Sequence, residues 1–155
     1  MKWIPLARPK IDRVACPWLI ARFIDQEPEF LFVPPDQVAS QSKATGAIPY
    51  DVPGVELSHE GPLCSFDAFL KKYALADPHL DDLAVIVRGA DTARLDLTPQ
   101  CAGLLVVSLG LSQIFADDHE MLRHGFVIYD ALYAWLKYVR EEKHDCHPQR
   151  WTVGQ

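Results

Sequence analysis

A chain of 155 residues with 49% hydrophobic and 23% charged side chains is long enough to bury one core without disulfide or metal staples and too apolar to be disordered. Its formal net charge of −6 excludes a general surface for nucleic acid or anionic membrane. Four cysteines, Cys16, Cys64, Cys101 and Cys146, stand far apart with no CxxC pair, which excludes a zinc ribbon and a dithiol redox motif.

At the N-terminus, Pro5 and Pro9 interrupt the apolar run that a secretion signal needs; a cytoplasmic location with reduced thiols is expected. Residues 1–22 hold Lys2, Arg8, Lys10, Arg13 and Arg22 against Asp12 alone, a basic patch that suits a small anion better than a polyanion. The first helix is predicted over residues 13–23, with Asp12 as N-cap and Leu19, Ile20 and Phe23 turned inward. Cys16-Pro17 then falls in its first turn, where proline costs least. A thiol there, beside Arg13 and a positive helix end, is expected to have a lowered pKa.

Residues 30–33 read as a short buried strand stopped by Pro34-Pro35, and residues 35–46 as a polar loop. Two further strands are predicted over residues 48–50 and 55–59 around the Asp51-Val52-Pro53-Gly54 turn, which leaves His59 at a strand end. From there the pattern is helical. Ser65 can cap a helix carrying Phe66, Phe69, Leu70 and Tyr73. Asp77-Pro78 opens a helix to about residue 87, and Thr98-Pro99 opens one to about residue 115.

That stretch, residues 102–115, is too short to span a bilayer and is broken by Gly103, Ser108, Gly110, Ser112 and Gln113. Apolar almost all round, it is predicted to be the central buried helix, with Gly103 and Gly110 allowing close approach. Asp117 and Glu120 open the final helix, whose inner face holds Phe126, Tyr129, Tyr133 and Leu136. Asp130 lies close to that face and needs a partner, either an arginine of the basic patch or a tyrosine hydroxyl. The fold class is α+β, a small N-terminal sheet packed against a mainly α-helical remainder. One domain is expected over residues 1–139. Residues 140–155 are expected to form a charged tail, with His144-Asp145-Cys146-His147 as an adventitious metal binder.

Polar islands in apolar surroundings mark the candidate site: residues 8–25, His59-Glu60-Gly61-Pro62-Leu63-Cys64-Ser65-Phe66-Asp67, Arg88-Gly89-Ala90-Asp91-Thr92, and Asp117-Asp118-His119. Divalent metals are held by convergent His, Asp, Glu and Cys side chains. Within the islands Asp117 reads as a helix cap, Asp67 as serving the first turn of its helix, and Cys64 as a small buried hydrophobe. The metal candidates that stay are His59, Asp91, Asp118 and His119, although no local spacing such as HExxH joins them. A tetrahedral oxyanion needs guanidinium forks or free backbone N–H groups; Arg8, Arg13 and Arg88 are the candidate set. Arg88 has an alternative as a structural bridge to Asp91. Cys16 is the candidate redox thiol, with an inert buried residue as its alternative.

The islands, together with Ile48-Pro49-Tyr50-Asp51-Val52-Pro53-Gly54-Val55 and Tyr129-Asp130-Ala131-Leu132-Tyr133-Ala134-Trp135, resemble the chromate-resistance domain family, known as the C-terminal part of ChrB-type regulators. The resemblance runs over residues 8–136. It implies a role in chromate resistance, with chromate or another small oxyanion, or a divalent metal ion, as the ligand sensed or tolerated. The full-length regulators resemble winged-helix proteins ahead of this domain, so direct nucleic-acid binding is not expected of this chain. A membrane partner is not expected, and a homodimer is compatible with a regulator-derived domain. Two alternatives stay open. One is an enzyme, either a metal-dependent hydrolase or lyase or a thiol-dependent chromate reductase centred on Cys16; the other is an interaction module that docks on a separate regulator.

Overall fold

The computed structural model describes residues 1–144. Its elements are β1 (Lys2–Ile4), α1 (Asp12–Leu19) running into a π-helical turn (Ile20–Ile24), β2 (Glu29–Phe30), a 3-10 turn (Pro35–Gln37), α2 (Val38–Thr45), β3 (Ile48–Pro49), α3 (Ser65–Lys72), α4 (Pro78–Asp91), α5 (Gln100–Ile114), α6 (Asp118–Ala134) and a closing π-helical turn (Trp135–Val139). The three strands form a parallel sheet in the order β2-β1-β3, with Trp3 opposite both Phe30 and Ile48. This small N-terminal sheet on a helical body is the expected α+β class.

Because strand side chains alternate, β1 serves two cores. Trp3 enters the main cluster with Trp18, Leu19, Tyr50, Phe66, Phe69, Leu83 and Tyr129. Ile4 turns the other way, into a smaller cluster with Leu6, Val33, Val38, Ala47 and Val52 beneath α2. On the helical side, α1 packs against α3 and α6, and α4 against α5.

Several local expectations change in three dimensions. Ile11, at φ 45°, is the N-cap of α1, and Asp12 is the first helical residue. Pro17 therefore lies inside α1 rather than in its first turn, where it denies the Arg13 carbonyl its helical donor. One turn further on the helix widens: the Asp25 N–H reaches back to the Ile20 carbonyl at 2.8 Å, the spacing of a π turn.

Only Glu29–Phe30 pairs regularly in the region read as a strand over residues 30–33, with Val33 adding a single bridge to Leu6. Residues 35–46 are not a loop. They form the 3-10 turn and α2, closed by Gly46 at φ 69°, a left-handed helix end that glycine adopts without steric cost. Residues 55–59 form no strand.

The helix read as central is α5, and it is a surface helix. Only Cys101, Leu104, Ser108 and Ser112 of it are buried, while Val106, Val107, Leu109 and Ile114 are exposed. Gly103 and Gly110 point into open space. The close approaches occur instead at Gly89 of α4, where a Cβ would collide with the Cys101 thiol and lie 2.8 Å from the Arg94 carbonyl oxygen, and at Gly125 of α6, where it would meet Val14 at 2.5 Å.

These contacts differ in how far they can yield. At Gly125 the obstacle is a valine side chain; at Gly89 part of it is backbone. Gly89→Ala is expected to lower unfolding stability by roughly 2–3 kcal/mol and Gly125→Ala by about 1 kcal/mol, after the helix-propensity gain of alanine is counted. Urea denaturation of the two variants checks the ranking.

Candidate metal centre

The chain begins its helical body with a buried carboxyl group. Asp12 is fully buried, and its carboxylate accepts the backbone N–H groups of Ser65 at 2.7 Å and Phe66 at 3.0 Å. Those are orphan donors at the start of α3, so Asp12 caps a helix that is remote in sequence. The Cys16 thiol donates to the same carboxylate at 3.2 Å. Ile11, immediately before, is a β-branched residue held at positive φ, a strained conformation that cores do not adopt without reason. Its carbonyl accepts the buried Tyr129 hydroxyl at 2.9 Å.

Around Asp12 three further elements converge. Asp51 follows β3 at φ 53°, a left-handed position that aspartate tolerates. One of its oxygens accepts the Ser65 hydroxyl at 2.9 Å and the other the Arg13 guanidinium at 2.6 Å. Asp91 ends α4 and accepts the Asp12 backbone N–H at 3.5 Å. His59, on the loop before α3, places Nε2 at 3.1 Å from Asp91, 3.3 Å from Asp51 and 3.6 Å from Asp12. Among the described residues, Asp12, His59 and Asp91 offer ligand atoms that all lie within 4.8 Å of one another.

Two forces oppose ionisation here. Burial pushes the Asp12 carboxyl well above the usual carboxylate range, and the charges of Asp91 and Asp51 push it further, against the Cys16 and Ser65 hydrogen bonds. Burial likewise raises Asp91, helped by Asp51 and resisted by His59. A crowd of desolvated carboxylates around one imidazole has a donor set that fits a dication.

His59 and Asp91 are thus brought together, while the other metal candidates go elsewhere. Asp118 accepts the backbone N–H of Arg8 at 3.1 Å, and His119 lies edge-on to Phe32 with ring centres 5.1 Å apart. Asp12 and Asp51 complete the group. Helix-cap and turn rules assign both residues local duties, so nothing in the one-dimensional pattern marks them.

Each candidate arginine has an acceptor inside the chain. Arg8 closes the C-terminal end of α5, donating to the Ser112 carbonyl at 2.9 Å and the Ala116 carbonyl at 3.0 Å. Arg13 holds Asp51. Arg88 forks onto Asp67 at 3.0 and 3.1 Å, not onto Asp91. Asp67 also accepts the Cys64 N–H at 3.0 Å and so serves the first turn of α3. Asp130 takes Arg22 at 2.9 Å and the Trp18 indole at 2.7 Å, the arginine partner its position calls for.

Cys16 corrects the expectation of an activated thiol. Burial raises its pKa well above the ordinary value, and the charges of Asp12 and Asp51 add to the rise. Cys16 lies beyond the first turn of α1, and the neighbouring Arg13 charge is spent on Asp51. Cys64 is pushed up as well, chiefly by burial. Of the C-terminal His-Asp-Cys-His motif, only His144 falls within the described residues.

A model of the family described as "ChrB, C-terminal domain" matches residues 3–136. The chain belongs to the ChrB C-terminal domain family. "Protein ChrB" of Cupriavidus metallidurans is 27% identical over 133 residues, which cover 85% of this chain and 40% of that relative. The chain therefore spans about two fifths of the relative's length. No solved structure matches it. Membership gives the chain the chromate-resistance context that its motifs point to. No helix among the described residues is long and apolar enough to cross a membrane.

The ChrB-family cluster has a pH signature. An acid whose folded-state pKa lies above its ordinary 3.8, as for Asp91, keeps its proton longer in the folded state. Its contribution to stability is fully present below the unfolded pKa and is lost as pH rises through the folded value. In chelator-stripped protein, the melting temperature is therefore expected to fall on this account as pH rises from about 4 towards neutrality. Asp91→Asn is expected to flatten that fall and to raise the melting temperature at neutral pH by a few degrees. Thermal melts of both proteins across the pH range check it; a variant that melts lower than wild type at neutral pH shows that the burial of an ionised Asp91, with the repulsion from Asp51, is not the dominant effect.

Proposed function

We propose that the chain binds a divalent metal ion through Asp12, His59 and Asp91, and that occupancy of this centre is its contribution to sensing or tolerance in chromate resistance. The observation that carries the reading is the convergence of the His59 imidazole with three carboxylates, one of them fully buried. A buried carboxylate without a compensating charge is costly. Asp12, Asp51 and Asp91 together carry three negative charges when ionised, and Arg13 supplies one positive charge through Asp51; a dication supplies the remaining two. Oxygen donors with one imidazole suit a hard to borderline ion of the manganese, iron or zinc kind.

The supporting groups have separate duties. Asp12, His59 and Asp91 offer the ligand atoms that lie within 4.8 Å of one another and so coordinate, while Asp51, held by Ser65 and Arg13, orients and balances charge. Hydrogen bonds of this kind fix ligand orientation in metal sites. His59 is 41% exposed at its side chain, which gives an ion a route in from solvent. The oxyanion reading finds no such support, because the forks of Arg8, Arg13 and Arg88 already face acceptors of the chain itself. The raised thiol pKa values favour intact, protonated Cys16 and Cys64 over a chromate-reducing thiolate.

Elemental analysis of tag-free protein, followed by calorimetric titration of the stripped protein with Mn²⁺ and Zn²⁺, tests the reading. One ion per chain is expected, with affinity reduced on the order of 100-fold in His59→Ala and in Asp91→Asn, and unchanged in His119→Ala. Full affinity in a folded His59→Ala, Asp91→Asn double variant would remove the centre.

A further inference from the structure

The outward face of α5 has no duty in the metal centre and is built against the usual rule for a surface helix. Its serines, Ser108 and Ser112, are buried, and four of its branched apolar residues are bare: Val106 is 67% and Ile114 69% exposed, with Val107 and Leu109 above 40%. Not one of the fifteen residues from Gln100 to Ile114 is charged. A Cβ added to Gly103 or Gly110 would meet nothing within 4 Å, so the chain's own packing does not account for either glycine. A glycine inside a helix costs about 1 kcal/mol relative to alanine, and a contiguous apolar patch of this kind marks an interaction site.

We propose that this face pairs with the same face of a second copy of the chain, the two α5 helices crossing antiparallel about a two-fold axis that passes between Val106 and Val107. The spacing of the residues carries the assignment. Pro99, Gly103, Val106, Val107, Gly110 and Ile114 recur at helical intervals of three and four and lie on one stripe. An antiparallel two-fold at that position sets Gly103 opposite Gly110 of the second copy, Val106 opposite its Val107, and Pro99 opposite its Ile114. Small residues thus face small ones and let the backbones approach, while valines fill the centre. A stripe that complements itself in this way is what an isologous contact requires.

Charge sets no local bar to that occupant. Two copies of net charge −6 repel each other as wholes, but α5 carries no charge and adds nothing to that repulsion at the contact. A charged or strongly polar partner would find no counter-charge on α5. Arg8, hydrogen-bonded to the carbonyls at the C-terminal end of the helix, holds that end in place without entering the stripe.

Sedimentation equilibrium of the full chain over a wide concentration range tests the proposal. Wild type is expected to be dimeric. Val106→Glu and Val106→Lys are each expected to weaken the dimer at least tenfold while leaving the far-ultraviolet circular dichroism unchanged, because residue 106 is exposed in the single chain. Mixing the two charge variants is expected to restore a dimer, read as the mixed species by native mass spectrometry, because the two residues lie on either side of the axis. Gly103→Leu, whose Cβ would meet nothing within 4 Å in the single chain, is expected to weaken the dimer as well. A wild type that stays monomeric, even if α5 captures some other protein, overturns the proposal. So does a dimer that all three folded variants leave intact, which would place the contact on another face.

Discussion

The carboxylate of Asp12 at the start of α3 is the interaction on which the rest of the arrangement depends. It is a buried carboxyl group, and a position of that kind is tolerable only when hydrogen-bond partners surround it. Ser65 and Phe66 supply backbone donors from α3 and Cys16 supplies its thiol from α1. The first helix is thereby fastened to the third at one point, with the sequence between them folded outside. That intervening chain holds the sheet's second and third strands and delivers Asp51 and His59 to the same place. Asp91 arrives from the far end of α4 and accepts the Asp12 N–H. One residue therefore sets both the packing of α1 on α3 and the geometry of the candidate metal centre.

The rest of α1 is built to hold Asp12 in position. Ile11 turns the chain through a left-handed conformation and gives its carbonyl to Tyr129 of α6. Trp18 and Arg22 then reach Asp130, the residue after Tyr129 in α6. Val14 rests on Gly125 at a distance that excludes any larger residue without adjustment. The widened turn after Leu19 is the consequence of placing a proline inside a short helix that must also meet these partners, since the freed carbonyl and the π turn shift the later side chains relative to the earlier ones.

What could be read in the sequence was what depends on neighbours along the chain. Asp77-Pro78 opens α4 and Asp117 opens α6, the former accepting the His79 N–H and the latter the Glu120 N–H at 2.8 Å each. His59 and Asp91 stood out as polar residues in apolar surroundings. Asp12 was assigned to the wrong helix because an N-cap rule is local, and the donors that Asp12 satisfies belong to residues 65 and 66. Arg88 pairs with Asp67 across two helices instead of with Asp91 three residues on, for the same reason. The β1 strand escaped notice because Lys2–Ile4 is three residues long and gains its identity from pairing on both sides. The pattern of α5 misled most directly: a helix apolar all round reads as central, yet here the apolar side faces out and the serines face in.

Three unfavourable features gather on one wall. Ile11 is strained, Asp12 and Asp91 have pKa values raised by burial and then by neighbouring carboxylates, Asp91 and Asp51 for Asp12 and Asp51 for Asp91, and the Tyr50 hydroxyl, beside Asp51 in sequence, is buried without a hydrogen-bond partner among the described residues. Each costs on the order of 1–3 kcal/mol in ordinary proteins, a large part of what holds a domain of this size together. A structure selected for stability alone would replace Asp91 with a neutral residue and relax Ile11. Retaining them together, where four elements meet and an imidazole stands open to solvent, is the pattern of a site whose local strain is offset by the packing of Trp3, Trp18, Phe66 and Phe69 around it. An ion that neutralised the carboxylates would convert the largest of these costs into a gain, and the loop carrying His59 would then be tied to α1 and α4 through the metal. Occupancy would be transmitted to the fold as the ordering of that loop, the physical form a metal signal in this domain would take.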